Sequence, residues 1–427
     1  MLSHGKVKEN KCLHQQKIQN EQAIFQTDSS TFIKDLLYKN KNLFKLDIDQ
    51  LNKYEVQIIY TRIDRDSLNH PHFTKYTYNL NDCIYFNPAS LVKLPVILLS
   101  LEKINKLNIP GLTRNSRMKI DSAHTCQSRV YSDYSSQNHF PTISNYIKKI
   151  LLVSDNDAYN RLYDFIGQQE LNEHLWKMGY KKTYIIQRFN TCCNDCNRFS
   201  SPLAFYDKKN HLIYHQKMLM NNQSFKNPLG EIKIGKGYIN SNGKYINGPM
   251  NFTFSNNFPL NDIYEIFLSL IFPENVSKEK RFNLTADDYK FLYKYLSMYP
   301  RESTYPSYKN DNYFPDNLKK YFLWGSTSKN INDTNIRILN IVGQHLGYLA
   351  DCAYIVDFNK KTEFILSAVI NTNIDQIYNS ADYKYSTIGF PFLEQLGKIF
   401  YDYELQRKRA FSPDLSKFYK IINSPEK

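Results

Sequence analysis

Ser90 and Lys93 form the first pattern in this sequence with the potential for chemistry. Residues three apart on a helix lie on adjacent turns of one face, so the lysine amine can take the proton of the serine hydroxyl. The spacing alone is weak, because the same S-x-x-K pattern begins at Ser3, Ser100, Ser116, Ser241, Ser277, Ser326 and Ser424. Ser90 differs in position, since it follows a strand-rich region and opens the most apolar helical pattern of the chain. A helix N-cap is the competing structural role.

Ser154-Asp155-Asn156 is the second such pattern, and the tripeptide occurs once. It separates two helical patterns at 143–152 and 158–166. The Ser154 hydroxyl can relay a proton toward a leaving nitrogen, and the Asn156 amide can bind a substrate carbonyl. The same residue types also cap helices, which is again the structural alternative. Together the two patterns favour Ser90 as a nucleophile over a simple cap.

The cysteines present a third candidate site. Seven cysteines cannot all pair within one chain, and Cys192, Cys193 and Cys196 form a CCxxC cluster that suits either zinc binding or redox chemistry. A structural zinc site needs further ligands, and His211 and His215 lie in a strand-like segment that does not supply a matching pair. We interpret the cluster as loop thiols and predict no metal and no cofactor.

The order of predicted elements indicates one mixed sheet that positions these residues. Residues 1–50 are polar and predict a leader that ends in a short helix, and residues 51–427 predict one α/β (α+β) domain. Its sheet is mainly antiparallel and five-stranded, built from both chain ends, with a helical half inserted at about 86–330. That half includes a motif-poor insertion at about 206–330. The predicted strands are 55–62, 72–79, 335–342, 348–357 and 363–372, and the predicted helices are 90–107, 143–152, 158–166, 284–297 and 391–408.

These motifs, followed by Gly343 on a C-terminal strand, resemble the S-x-x-K, S-D-N and K-T-G set of class A serine β-lactamases and penicillin-binding proteins. More narrowly, the chain is similar over about residues 30–420 to a class A β-lactamase-related family of bacterial serine hydrolases. The resemblance is carried by NPASLVKLPVILLSLEKIN, YIKKILLVSDNDAYNRLYDFIGQ, IFPENVSKEKRFNLTADDYKFLYKYLSMYPRES and GYLADCAYIVDF. It implies the β-lactamase/transpeptidase fold.

The resemblance also implies roles for individual residues. Ser90 would be acylated, Lys93 would be its general base, and Ser154 would shuttle the proton. Asn156 would bind the substrate amide. The backbone N–H groups of Ser90 and Gln344 would form an oxyanion hole. The substrate-binding positions are therefore Asn156, Val342, Gly343 and Gln344.

Two departures from the family pattern bear on activity. Ile341 stands where the third motif should present a lysine, and Arg337 lies four residues earlier on the same strand face. The resemblance also implies a loop glutamate that activates water for deacylation, but residues 187–201 contain none. Asp195 is the single carboxylate there and is a weak candidate for that role.

Two functions remain open on the sequence. The first is a serine acyl-hydrolase, of β-lactamase or DD-peptidase type, acting through a Ser90 acyl-enzyme on a β-lactam, peptide or ester amide. The second is a degenerate member of the family, a pseudoenzyme that binds a ligand or partner without turnover.

The net charge and the hydropathy of the sequence limit which kinds of partner we predict. The net charge of +14 suits a nucleic-acid ligand, but the many Tyr and Lys residues and few Gly fit compositional drift better, so we predict no nucleic-acid partner. No apolar run is long enough to span a membrane, and no secretory signal is visible in the N-terminal residues. The resemblance implies the cell envelope, so the localisation stays open. We expect a small-molecule or peptide substrate, β-lactam-like or peptidoglycan-like.

Overall fold

Strands from both ends of the chain form one six-stranded sheet. The structure is a computed structural model that describes residues 25–28, 31–309, 312–326 and 330–426. The strands, numbered along the chain, are β1 (Phe25–Asp28), β2 (Gln57–Arg65), β3 (Pro71–Tyr78), β4 (Arg117–Ile120), β5 (Leu203–Tyr206), β6 (Leu212–Gln216), β7 (Lys233–Ile234), β8 (Gly237–Ile239), β9 (Tyr245–Asn247), β10 (Met250–Asn251), β11 (Ile336–His345), β12 (Tyr348–Asp357), β13 (Thr362–Asn371) and β14 (Ile377–Tyr378). The order in the main sheet is β1-β3-β2-β13-β12-β11.

Helices cover both faces of this sheet. They are α1 (Phe32–Lys39), α2 (Lys93–Leu107), α3 (Ile143–Val153), α4 (Asn156–Ile166), α5 (Gln168–Lys177), α6 (Leu260–Ile271), α7 (Ala286–Ser297), α8 (Tyr321–Trp324, with non-helical dihedrals at its two middle residues), α9 (Phe390–Gln406) and α10 (Ser416–Ile422). One apolar cluster joins one sheet face to α1 and α9, and the other joins the opposite face to α2, α3, α6 and α7. Strands β12 and β13 are buried at every position because both of their faces are covered.

Helix α2 lies at the centre of the second cluster. Eleven of its 15 residues are buried, as expected for a helix that is apolar almost all round. It ends at Asn108, whose φ of 46° places it in the left-handed region and whose N–H donates to the carbonyl of Ile104. The burial of α2 fixes the position of the residues at its N-terminus.

The predicted fold class is confirmed, and two details of the prediction are wrong. All five predicted strands are present with ends within three residues of the structure, but β1, which falls in the predicted leader, adds a sixth strand in parallel to β3. The inserted half is also less purely helical than predicted. It contains the sheet β4-β5-β6 and the short pairs β8-β9 and β7-β10, whose strands of two or three residues leave little periodicity in the sequence.

Two further predictions concern the N-terminal leader and membrane-spanning segments. Residues 1–24 of the predicted leader lie outside the described residues, and α1 falls within the segment predicted to be helical. Among the helices that the structure describes, none is long and apolar enough to cross a membrane.

Candidate active site

Ser90 lies in a tight 3₁₀ turn, Ala89–Val92, that continues directly into α2. Ala89 has a φ of 45°, a left-handed conformation that costs a non-glycine residue on the order of 1–3 kcal/mol. Such strain persists where the surrounding packing enforces it, and it clusters at functional sites. No side chain caps this turn or α2, so Ser90 does not act as the N-cap that the sequence also allowed. Ser90 stays partly exposed, whereas Leu91 and Val92 are fully buried.

The tripeptide from Ser154 to Asn156 forms the junction between α3 and α4. Ser154 ends α3 in the left-handed region with a φ of 58°. Asp155 is the N-cap of α4, because its carboxylate accepts the N–H of Ala158 at 2.8 Å. The capping role therefore belongs to the middle residue, and the side chains of Ser154 and Asn156 remain available for other contacts.

Lys93 joins the two sequence patterns. Its Nζ donates to the Ser154 carbonyl, to the Ser154 hydroxyl at 3.0 Å and to Asn156 Oδ1 at 2.7 Å. Lys93 follows Ser90 by one turn, so its amine lies between the Ser90 turn and the α3–α4 junction. The structure thus brings Lys93, one helical turn after Ser90, into contact with both Ser154 and Asn156.

Burial favours the neutral form of the Lys93 amine. Lys93 is 0% exposed, and its pKa is lowered well below the ordinary lysine value, first by desolvation and then by the positive charge of Lys319. The charge of Asp155 opposes this shift in part. A neutral amine near a serine hydroxyl can accept its proton, which is the chemistry required of a general base.

Strand β11 passes against the Ser90 turn as the edge strand of the sheet. A Cβ on Gly343 would lie 2.6 Å from the carbonyl oxygen of Pro88 and 3.4 Å from the Ala89 Cβ, so only glycine permits this approach. Val342 is buried next to Gly343, and Gln344 is exposed beyond it. The predicted third-motif residues therefore do lie beside the predicted nucleophile.

Neither of the two positions considered for a cation on this strand supplies one to the site. Ile341 is buried in the apolar core and offers no charge to the site. Arg337 cannot replace it, because its guanidinium binds Glu302 through two hydrogen bonds of 3.0 and 2.9 Å and stacks on Tyr299.

A buried lysine from the predicted motif-poor insertion lies close by instead. Lys319, at the end of the 3₁₀ turn Asp316–Lys319, donates its Nζ to the carbonyls of Ile150 at 3.1 Å and Leu151 at 2.6 Å. These carbonyls belong to the last turn of α3, directly before Ser154. The Lys319 charge is also the one that lowers the pKa of Lys93. The motif-poor insertion thus places a buried lysine against the end of α3.

Strand β11, which has Ile341 at the motif position, contacts the turn that carries Lys319. Asn340, which precedes Ile341, donates its side-chain amide to the Lys319 carbonyl and to Asp351. Desolvation lowers the pKa of Lys319 to about 7, and the nearby Asp351 carboxylate limits the shift. Lys319 therefore titrates near neutral pH. One sequence feature could have indicated a buried lysine here, because Lys319 and Lys320 directly precede the apolar run YFLW.

The 187–201 loop presents an aromatic ring to Lys93. Phe189 lies with its ring centroid 4.7 Å from the Lys93 Nζ. Its backbone is fixed by Asn160, whose side-chain amide donates to the Phe189 carbonyl and accepts the Phe189 N–H. Asp195 is exposed and pairs with Arg198 at 3.2 Å. A cavity of about 250 Å³ lies between α4 and this loop, lined in part by Asn156 and Phe189.

The three cysteines of the CCxxC cluster are joined by a fourth. The sulfurs of Cys126, Cys192, Cys193 and Cys196 all lie within 4.8 Å of one another, and Cys196 is buried while the other three are exposed. The sequence reasoning missed Cys126, because a single cysteine in a polar loop has no local partner to mark it.

Fold and site together define a class of protein. A mainly antiparallel sheet built from both chain ends, with a serine and a lysine at the start of a buried central helix, is the arrangement of the β-lactamase/transpeptidase fold. Residues 52–216 match a family described as the beta-lactamase enzyme family. The match contains Ser90, Lys93, Ser154 and Asn156 and ends before β11. Over this range, which is less than half of the chain, the sequence is similar to that family.

Solved structures show similar folds at low identity. A β-lactamase from Burkholderia phymatum is 10% identical with a TM-score of 0.47, covering 88% of this chain and 100% of that chain. A class A β-lactamase from Clostridium kluyveri is 13% identical with a TM-score of 0.46, covering 86% of this chain and 98% of that chain. The protein PBP-A is 12% identical with a TM-score of 0.46, covering 86% and 95%. Likenesses at this level carry no conclusion about activity. No curated protein matches the sequence.

Proposed function

We propose that the protein is a serine acyl-transferring hydrolase in which Ser90 is acylated by a β-lactam, a peptide or an ester amide. One observation carries the proposal: the Lys93 amine is fully buried, has a strongly lowered pKa and binds both Ser154 and Asn156 one turn after Ser90. A buried lysine without a carboxylate partner is costly, and it is retained where a neutral amine has a use.

The reaction would begin with proton transfer from the Ser90 hydroxyl to the neutral Lys93 amine. The resulting alkoxide attacks the substrate carbonyl, and the backbone N–H groups of Ser90 and Gln344 stabilise the oxyanion. Ser154, hydrogen-bonded to Lys93, then passes the proton to the leaving nitrogen. Asn156 orients the amide of the substrate, and Gly343 allows the strand to approach the reacting carbon.

Lys319 takes the place of the missing strand lysine in this proposal. Its amine binds the last turn of α3, whose end carries Ser154, and its charge lowers the pKa of Lys93. A protonated Lys319 would thus favour both the neutral base and the developing negative charge. It acts through other residues and is a positioning residue.

Deacylation should be slow. The loop residue nearest Lys93 is Phe189, and Asp195 points its carboxylate to Arg198 and solvent. Without a carboxylate to activate water, the acyl-enzyme would persist, as in a penicillin-binding protein. The second candidate function, ligand binding without covalent chemistry, is favoured by the same observation together with Ile341.

Covalent labelling separates these functions. We would incubate the full-length protein with a fluorescent penicillin and locate the adduct by intact-mass and peptide mass spectrometry. We expect label on Ser90 in the wild type and none in Ser90→Ala. The matched control is Ser277→Ala, which removes an exposed serine with the same spacing to Lys280 and should label like the wild type. Absence of any adduct over hours in the wild type would overturn the penicillin-reactive proposal.

A further inference from the structure

Four cysteines from two loops converge beside the cavity and form what we name the thiol cluster: Cys126, Cys192, Cys193 and Cys196. Cys126 belongs to the segment between β4 and α3, and the other three belong to the 187–201 loop. The structure pairs Cys126 with Cys192 and Cys193 with Cys196 as disulfides, which corrects the interpretation of loop thiols, and the Cys126 and Cys196 sulfurs lie 3.5 Å apart. The four sulfurs therefore form one closed group.

We propose that the thiol cluster binds a structural zinc ion as a tetrathiolate. Zinc takes four cysteine ligands at about 2.3 Å in a tetrahedron, which corresponds to sulfur–sulfur edges of roughly 3.8 Å. All six sulfur pairs in the cluster fall within 4.8 Å, so in the reduced chain the four side chains lie close enough to converge on one ion. A dithiol reductant supplies the four electrons and four protons that convert the two disulfides to four thiols. Zinc binding then displaces one proton from each thiol to solvent, with no further change of oxidation state.

Local contacts fix the turn that carries two of the four cysteines. Cys193 and Cys196 have the C-x-x-C spacing of a zinc-binding turn, and the backbone N–H of Cys196 donates to the Cys193 sulfur at 3.1 Å. The Arg188 guanidinium donates to the Cys196 carbonyl and to Asp164, which holds the turn in place. The outer-shell contacts of a metal ligand are thus already present.

The burial and ligand set indicate a structural site. Four protein ligands leave no open position for water or substrate, which is typical of zinc sites that stabilise a fold. Three of the cysteines are exposed, so the ion has a route in from solvent.

The zinc would fix one wall of the cavity next to the proposed active site. Gln127 and Ser128, which follow Cys126, line that cavity together with Phe189 and Asn156. Arg161 links the same segment to α4, since it donates to the carbonyl and hydroxyl of Ser128. Joining Cys126 to the loop that carries Phe189 would hold both sides of this wall at a fixed separation. The metal would therefore tune substrate access without taking part in the chemistry.

Metal analysis of the intact protein tests this proposal. We would purify the full chain without chelators and measure zinc by plasma mass spectrometry and native mass spectrometry. We expect about one zinc per chain in the wild type, a loss of bound zinc in Cys126→Ser, and full retention in Cys352→Ala, which removes a buried thiol of β12 outside the cluster. Cobalt added to metal-free protein should give the intense thiolate-to-metal absorption of a tetrahedral site.

Other results would overturn the proposal. One is a metal-free chain whose mass is lower by four hydrogens and whose cluster cysteines resist alkylation, because this would show two disulfides. The other is a reduced chain that takes up neither zinc nor cobalt. If Cys126→Ser fails to fold, the wild-type zinc stoichiometry and the cobalt spectrum still decide the question. Neither measurement depends on penicillin labelling, so failure of this proposal is distinguishable from failure of the proposed activity.

Discussion

Replacing Lys319 with methionine tests whether a buried lysine outside the three motifs supports acylation of Ser90. Methionine keeps much of the length and apolar bulk of lysine but removes the amine that donates to the carbonyls of Ile150 and Leu151. A hydrogen bond from a charged group contributes about 1.5–3 kcal/mol. We therefore expect acylation to slow by roughly tenfold to hundredfold under conditions in which Lys319 is protonated.

The pKa of Lys319, about 7, makes the size of this defect depend on pH. About nine-tenths of Lys319 is protonated at about pH 6, and only about one-hundredth at about pH 9. The full defect should thus appear at the lower pH, and the wild type and Lys319→Met should differ by about twofold or less at the higher one. Removal of the like charge should also raise the pKa of Lys93 in the variant, because Lys319 lowers it in the wild type.

The assay is the second-order rate constant for labelling by a fluorescent penicillin, measured across this pH range. Lys320→Met is the matched control, since Lys320 is equally buried but donates to Leu296, Ile338 and Asn340 and is not among the charges that shift the pKa of Lys93. Thermal unfolding of each variant establishes that it is folded at the assay temperature. Ile341→Lys in the Lys319→Met background should restore labelling at least in part.

Two results would refute this reasoning. The first is a Lys319→Met variant that labels at the wild-type rate near pH 6. The second is a defect of equal size at every pH, because a loss of structure rather than of charge would produce it.

Four further variants test other parts of the site by the same labelling assay. Phe189→Glu should shorten the lifetime of the adduct by placing a carboxylate near Lys93, whereas Asp195→Asn should leave the lifetime unchanged. Gly343→Ala should abolish labelling and lower the melting temperature, because its Cβ would meet the Pro88 carbonyl at 2.6 Å. Lys93→Arg should remove labelling at all pH values, since arginine does not lose its proton; in the wild type, labelling should fall as the pH drops through the lowered pKa of Lys93. Each assigned role has a contradicting result. These results are labelling of Lys93→Arg, an unchanged adduct lifetime in Phe189→Glu, and labelling of Gly343→Ala.

The sequence predicts the parts of the fold that depend on local periodicity. Strand β12 has the predicted bounds, and α3 differs from its prediction by one residue, because each element is long and strongly patterned. Strands β7 to β10 are two or three residues long and are set by pairing across the inserted half, so no local pattern announces them. Strand β1 pairs with β3 in parallel and lies in a polar segment, where composition favoured a leader.

The residues of the candidate site also differ in whether a local sequence pattern predicts them. Ser90, Lys93, Ser154 and Asn156 occur in two short motifs, and their convergence follows from recognising both motifs. Lys319 approaches Leu151 across 168 positions, and Cys126 meets Cys192 across 66 positions. Contacts of this kind are decided by tertiary packing, and local sequence patterns do not reveal them.

The presence of Ile341 at the motif lysine position does not by itself predict an inactive protein. A cation acts through its position in space, and the Lys319 side chain reaches the end of α3 from a turn that Asn340 of the same strand holds in place. Strand β11 therefore helps to position the Lys319 amine, although the strand has no lysine at position 341. The 187–201 loop has no such substitute for its missing glutamate, because the residue that it places against Lys93 is Phe189. The two departures therefore predict different defects: acylation should survive and depend on Lys319, while deacylation should fail, leaving an acyl-enzyme that is stable enough to isolate.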